Sequence, residues 1–239
     1  MRAPRSLLGD PDRELALAEY AELASRYDAT CTNIWSLREA AIAALAPRPG
    51  ETVFDVACGT GASLPKLAAA VGASGRVIGI EQSPPMAAQA LERIRGLQRI
   101  EIVRCSIQDL AHDARADAML FCYTHDVLQS RRALEVLRDH AKPGCRVAVL
   151  GVRTQPWWWG LPLNVFTMVR ARRYFTTFRG LQRPWEPLAA HCPDLRPVRH
   201  FHIGTSYLAL GRFPGARPQV PGWRANTEVR PPSPTSSTS

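Results

Sequence analysis

Between residues 53 and 152 the chain alternates short apolar runs with stretches of helical spacing, and runs such as VIGI, AMLFCY and VAVLGV are nearly unbroken by polar residues. A strand wetted on one face alternates apolar and polar residues; a strand covered by helices on both faces has no need to. Strands of this kind, separated by short helices, imply βαβ units and a parallel sheet. The expected strands are 53–57, 76–81, 100–104, 118–123 and 146–152, and the expected helices are 62–70, 84–94 and 131–140. Ser83 opens the second of these helices with two prolines in its first turn, where a missing N–H costs nothing. Two further strand-like runs, 199–203 and 206–211, complete the expected fold. It is an α/β, Rossmann-like, doubly wound and mostly parallel sheet with a C-terminal antiparallel edge pair and helices on both faces.

Good helix formers at helical spacing fill 12–27 and 32–46, so residues 1–46 read as an N-terminal helical cap and 47–212 as the main domain. Within that domain the texture changes at 153–192. A Trp-rich segment, a basic helix around 161–173 and a helical stretch at 181–191 read as an inserted lid. Residues 213–239, rich in Pro, Ser, Thr and Arg without apolar periodicity, are expected to be a disordered tail. With 239 residues and 46% hydrophobic content, one sizeable core is expected.

The formal net charge is +9, and arginine carries it, since Lys66 and Lys142 are the only lysines. Nucleic acid, an anionic membrane surface or an acidic substrate could each exploit that charge. No zinc-finger or RNA-recognition signature accompanies it, so nucleic acid is not an expected partner, while a membrane surface stays open. The six cysteines are scattered without a CxxC pair, which fits reduced thiols. The N-terminal MRAPRSLLGDPDRE has no long apolar stretch, and a cytoplasmic location is expected. The apolar region PWWWGLPLNVFTMV is too short and too broken by Pro and Gly to span a bilayer.

The stretch VFDVACGTGAS (53–63) follows the first strand and opens a helix. In a doubly wound sheet a ligand binds beyond the carboxyl ends of the strands, and glycines there let backbone approach it. Gly59 and Gly61 supply that backbone. Glu81 ends the second strand, where a carboxylate can accept hydrogen bonds from both ribose hydroxyls of an adenosine. A dinucleotide fingerprint fits poorly, because its third position is Leu64 and no basic residue stands at the turn. Asp55, inside the first strand, suits a cationic or amino-bearing ligand rather than a diphosphate.

VFDVACGTGAS, VIGIEQS and PGCRVAVL together resemble the class I S-adenosylmethionine-dependent methyltransferases, over about residues 20–212. The branch is similar to quinone C-methyltransferases and phospholipid N-methyltransferases, which often have a YD pair before the first strand, here Tyr27 and Asp28. The resemblance implies S-adenosyl-L-methionine as cofactor, bound by 47–212. It implies that Asp55, Gly59 and Gly61 surround the methionine part and that Glu81 holds the ribose. Gln82 and Ser83 would lie beside the adenosine and Met86 would pack on adenine. Gln108 and Asp109 would reach the adenine amino group, Tyr27 would cover the methionine end, and 123–126 would line the face between cofactor and substrate. Ala57 stands where the family usually has glycine, and its methyl would crowd the methionine side. Cys58 reads as a small residue packed beneath the cofactor.

A sulfonium carbon is already an electrophile, so proximity, in-line geometry and desolvation suffice for transfer, and a base is needed only for a protonated acceptor. His125 is the base candidate. Tyr123 and Thr124 share its loop, and Tyr174, in RARRYFTTF, joins the catalytic candidates from the lid. Arg170, Arg172 and Arg173 could bind a carboxylate or phosphate. Trp157, Trp158 and Trp159 could attract a cation, anchor a lid or touch a membrane interface. His200 and His202 share a strand face without a third ligand, so no metal is expected. The expected activity is methyl transfer to a small molecule or lipid head group. One alternative uses the cofactor's aminocarboxypropyl arm, either by transfer or by closure to azetidine-2-carboxylate with release of methylthioadenosine. Another is a basic module that binds nucleic acid or membrane and keeps a vestigial pocket. No motif encodes the acceptor or the oligomeric state.

Overall fold

The computed structural model describes residues 8–30 and 34–214. Helical elements come first: α1 (Arg13–Leu23), a 3-10 turn (Ala24–Arg26), α2 (Tyr27–Thr30) and α3 (Trp35–Leu45). Asp12 caps α1, its carboxylate accepting the Leu15 N–H at 3.0 Å. The alternating region follows as β1 (Thr52–Val56), α4 (Leu64–Val71), β2 (Arg76–Ile80), α5 (Pro84–Arg93), β3 (Ile100–Val103), a 3-10 turn (Ile107–Asp109), β4 (Ala116–Cys122), α6 (His125–Leu128), α7 (Arg131–Asp139) and β5 (Ala141–Val152). The chain ends with α8 (Trp157–Ala171), α9 (Glu186–Ala189), β6 (Arg196–Phe201) and β7 (Ser206–Arg212).

One seven-stranded sheet runs in the order β3-β2-β1-β4-β5-β7-β6. The pairs among β1 to β5 are parallel, and β7 pairs antiparallel with both β5 and β6. Strand order reverses between β1 and β4, which places the topological switch beyond their carboxyl ends. Successive strand residues point to opposite faces, and both faces are buried. Phe54, Ile78, Phe121 and Val149 join one apolar cluster, and their neighbours Val53, Val77, Leu120 and Ala148 join the other. That two-sided burial is why the strand sequences run almost unbroken in apolar residues.

Several boundaries differ from the sequence expectation, each for a local reason. β5 begins at Ala141 instead of 146 because its start bulges: Ala116 pairs with Ala141 but Ala118 with Arg146. The bulge brings the Lys142 ammonium to Asp117 at 2.7 Å. β6 ends at Phe201, since His202 and Ile203 take left-handed φ values of 49° and 56° to turn the hairpin. The helix expected at 181–191 shrinks to the four residues of α9, among Gly180, Pro184 and Pro187. The helix expected near 161–173 starts earlier, at Trp157, and carries Pro162 inside it. Phe213, assigned to the tail, is buried in the core, and its N–H donates to the Cys145 carbonyl at 2.9 Å. The rest of the expected tail, 215–239, lies outside the described residues, as do residues 1–7 and 31–33.

Arg146 joins the sheet to the cap. Its guanidinium donates to the carbonyls of Leu45 and Ala46 at the end of α3 and grips Glu51 at 2.9 and 2.5 Å. Burial alone would raise the Glu51 carboxyl; Arg146 and the Arg48 N–H outweigh it and hold the group below its ordinary value. Arg146→Ala is expected to cost about 2–3 kcal/mol, since it removes charge-assisted hydrogen bonds and leaves sheltered acceptors unpaired. Urea unfolding checks this, and a loss below about 0.5 kcal/mol contradicts it.

Candidate functional site

The carboxyl ends of β1, β2 and β4 converge on a cleft lined by Ala57, Gly59, Glu81, Gln82, Met86, Gln108, Tyr123 and His125, and roofed by Tyr27 and Tyr174. Glu81 is buried at its centre. One carboxylate oxygen accepts the Gly59 N–H at 2.9 Å, and the other accepts the Ser83 N–H at 2.7 Å. One side chain thus pins the glycine loop after β1 to the start of α5. Burial raises the Glu81 carboxyl above its ordinary value, opposed by the N–H groups of Ser83, Gly59 and Gln82.

The two glycines do different work. Gly59 has φ +59°, and a Cβ built on it would meet nothing within 4 Å. Gly61 has φ +75°, but a Cβ there would lie 2.8 Å from Leu64 and 3.0 Å from Ala90, so it lets α5 pack on the loop and does not line the cleft. Ala57 and Tyr123 adopt left-handed φ values of 51° and 59° at the ends of β1 and β4. Non-glycine residues rarely sit there, and such strain gathers at ligand sites. The Tyr123 turn is held by its N–H, which donates to Leu150 at 2.7 Å.

Asp55 lies below the cleft surface and is 1% exposed, with Oδ2 lacking any hydrogen-bond partner. Burial pushes its carboxyl up to about 7; Arg38 opposes the shift and Glu81 adds to it. Arg38 comes from α3, is itself buried, and donates to the Ser63 hydroxyl at 3.2 Å. The sequence reading missed it. The available signal was an arginine on the apolar stripe of a helix, beside Leu37, Ala41 and Ile42.

Of the YD pair, Tyr27 faces the cleft, while Asp28 accepts from the Thr60 hydroxyl at 2.6 Å and pairs with Arg93, tying the cap to the glycine loop and to α5. Tyr27 meets Tyr174 edge to face at 6.0 Å, and the Tyr20 hydroxyl donates to the Tyr174 carbonyl at 2.9 Å. Tyr20 was also missed. Met86 is buried against this tyrosine group. Gln108 lines the cleft and donates to Ser130 at 2.9 Å, whereas Asp109, not itself among the lining residues, accepts from Arg13 at the cleft edge at 2.8 Å.

His125 is buried, with its ring 4.9 Å from that of Phe175. Neither ring nitrogen makes a hydrogen bond of ordinary geometry. Burial, assisted by the Arg179 charge and opposed by the Arg179 backbone, brings its pKa down to about 4, so the ring is neutral at pH 7. Its neighbour Asp126 accepts both the N–H and the hydroxyl of Thr176, whose oxygen in turn accepts the Asp12 N–H at 3.0 Å. The loop after β4 therefore holds the segment after α8 against the start of α1. Among the described residues no group of three His, Cys, Asp or Glu gathers as a metal site, and His200 faces Arg153 at 3.1 Å.

A family model described as "Methyltransferase domain" matches residues 53–144, the region from β1 into β5. Over 149 residues the chain is 33% identical to a demethylmenaquinone methyltransferase of Clavibacter sepedonicus, covering 58% of each. Over 122 residues it is 32% identical to a 2-phytyl-1,4-naphtoquinone methyltransferase of Trichormus variabilis, covering 49% of this chain and 52% of the relative. The chain thus spans about half the length of these curated relatives. A SAM-dependent methyltransferase structure from Aquifex aeolicus superposes with TM-score 0.53 at 22% identity, over 74% of this chain and 89% of that one, and shares its fold.

Asp55 gives a pH-dependent test. Its folded-state pKa of about 7 lies above the unfolded carboxylate value, so the folded protein holds an extra proton between about pH 4 and 7, and this group's contribution to stability falls as pH rises through that window. Asp55→Asn is expected to stabilise the ligand-free protein on the order of 2–4 kcal/mol above pH 7 and hardly at all at pH 4. Thermal unfolding across that range measures the difference; a gain independent of pH would contradict the buried charge.

Proposed function

We propose that this chain is a class I S-adenosylmethionine-dependent methyltransferase, a reading supported by the methyltransferase-domain match over residues 53–144 and the quinone methyltransferase relatives, and that it transfers the cofactor's methyl group to a small-molecule acceptor, with a quinone-type aromatic as the leading candidate. The observation that carries the reading is the buried Glu81 carboxylate, held between Gly59 and Ser83 at the tip of β2. A carboxylate locked there meets a nucleoside sugar in a fixed orientation.

The residues present fit that cofactor. Asp55 keeps a carboxylate oxygen without a partner below the glycine loop, which suits an amino-bearing group. Gly59 leaves the space of a Cβ open. Glu81 would hold the ribose, Met86 and Gln82 would flank the base with Gln108, and Tyr27 would cover the methionine end. Ala57 would stand against that end with its methyl group. When bound, the cofactor supplies a sulfonium whose methyl carbon is already electrophilic. The chain's own task is then to place an acceptor in line, exclude water and strip solvent from the charge. The tyrosine roof and the strap from Asp126 through Thr176 to Asp12 close the cleft on that side. Neutral His125 and Tyr123 face the acceptor side. His125 offers a lone pair for hydrogen bonding, and with its pKa near 4 it orients a protonated acceptor better than it removes the proton. The quinone methyltransferases among the relatives support the acceptor class.

Mass spectrometry of the enzyme with S-adenosylmethionine and a reduced naphthoquinone lacking the ring methyl is expected to show S-adenosylhomocysteine and a methylated quinol. Methylthioadenosine as the sole nucleoside product would overturn methyl transfer in favour of the cofactor's other arm. Glu81→Gln keeps an acceptor for one of the two N–H groups and loses the charge. It is expected to weaken cofactor binding about tenfold or more, from the loss of charge-assisted hydrogen bonds. Calorimetry showing unchanged affinity in a folded variant would remove Glu81 from the site.

A further inference from the structure

Helix α8 is built inside out. Its buried positions are Gly160, Asn164 and Ala171, which are small or polar. Asn164 is clamped to the backbone of Gln155, accepting its N–H at 2.7 Å and donating to its carbonyl at 2.9 Å. A Cβ on Gly160 would come within 2.3 Å of the Gln155 side chain, so this seam fixes which face of the helix turns inward. The outward side chains are Trp157, Trp158, Leu161, Val165, Phe166 and Val169, each more than half exposed. With 3.6 residues per turn they fan over about half of the helix circumference, and no charged residue falls among them until Arg170 at the rim. A helix on a water-soluble domain normally buries such a stripe, and an exposed patch of this size marks an interaction surface.

The chemistry of the patch selects its partner. It offers large apolar side chains and two adjacent tryptophans, whose indole N–H groups are its only side-chain polar atoms. The charge bordering it is basic: between Asp139 and Glu186 the sequence has no Asp or Glu, the Arg170 guanidinium lies 5.6 Å over the Phe166 ring, and exposed Arg173 follows the end of the helix. Tryptophan favours the boundary between headgroup and acyl chain, and arginine can lay its stem along apolar surface with its charge among phosphates. At 15 residues α8 cannot cross a bilayer, and no described helix is long and apolar enough to do so. An apolar face rimmed by arginine fits a helix lying in the plane of the surface. We propose that α8 docks this protein on anionic phospholipid bilayers. The docked helix leads within three residues to Tyr174, which roofs the cleft, so docking sets the cleft beside the lipid phase. That consequence rests on the proposed function for its use, with a lipophilic acceptor entering from the bilayer; the docking does not depend on it.

The test uses the full chain without cofactor, with vesicles of phosphatidylcholine containing about one-third phosphatidylglycerol, some lipids carrying bromine on their acyl chains. The expected result is co-sedimentation at physiological salt and quenching of tryptophan fluorescence by the brominated lipid. The variant Trp157→Ser/Trp158→Ser/Phe166→Ser changes only exposed side chains and should keep the wild-type melting temperature while binding at least about tenfold more weakly. Arg170→Gln/Arg173→Gln should lose the preference for phosphatidylglycerol over pure phosphatidylcholine vesicles. Absence of binding overturns the proposal, as does binding that the triple variant leaves unchanged, which would locate it elsewhere, for instance in the arginines of 215–239. A self-association abolished by the triple variant, without vesicle binding, makes the face a contact between copies and equally overturns it. Vesicle binding together with failed methyl transfer would leave docking standing and remove only the catalytic reading.

Discussion

The carboxylate of Glu81 sits between two backbone turns and gives one oxygen to each. Gly59 belongs to the loop after β1, which borders the point where the strand order reverses, and Ser83 to the start of α5 after β2, so the glutamate joins the turns that follow two neighbouring strands. A buried carboxylate is costly unless donors meet it, and here the donors are main-chain N–H groups that cannot turn away. The link extends outward. Thr60, next to Gly59, donates to Asp28, and Asp28 pairs with Arg93 at the far end of α5. The helical cap is thus fastened to the same loop and helix that the glutamate holds together. Proposed as the ribose acceptor, Glu81 already has its orientation set before any ligand arrives, which lowers the cost of binding.

Around that anchor the protein keeps features that a fold selected for stability alone would lose. Ala57 and Tyr123 take left-handed backbone at the ends of neighbouring strands. Asp55 is buried with an unpartnered oxygen, and His125 with two ring nitrogens outside hydrogen-bond geometry. Burial displaces both groups toward their neutral forms, the acid upward and the base downward. Strain and unmet polar groups concentrated at one end of the central strands are the usual mark of a site whose partner is a ligand.

The other side of the cleft is made by chain that arrives late. Thr176 bridges Asp126 and the Asp12 N–H, the Thr177 hydroxyl donates to the Gly9 carbonyl, and Arg179 reaches Asp10 and the Gln129 carbonyl. The segment after α8 is therefore held to the N-terminal cap and to the loop after β4 together. Through this strap a helix with an outward apolar face is mechanically continuous with Tyr174 over the cleft.

Much of this was legible in the residues. Two-sided burial imposes unbroken apolar strands, so VIGI and VAVLGV disclosed a parallel sheet, and strand length alone put Glu81 at a tip facing the switch point. The glycine loop could be recognised for the same reason, since a turn from strand to helix constrains composition locally. What the sequence could not disclose depends on partners far away in the chain. Gly61 answers to Ala90 instead of to the cleft, Asp109 is paired with Arg13 across 96 residues, Arg38 reaches Ser63 across 25, and Tyr20 meets Tyr174 across 154. Helical spacing in α8 announced a helix and left its inward face undecided, because apolar periodicity marks a stripe but not what covers it. The Gln155–Asn164 clamp turned that stripe to the outside. Local periodicity and turn chemistry determined the sheet and its tip acid; packing between distant segments decided which side chains face the ligand, because that choice is made by contacts no short window of sequence contains.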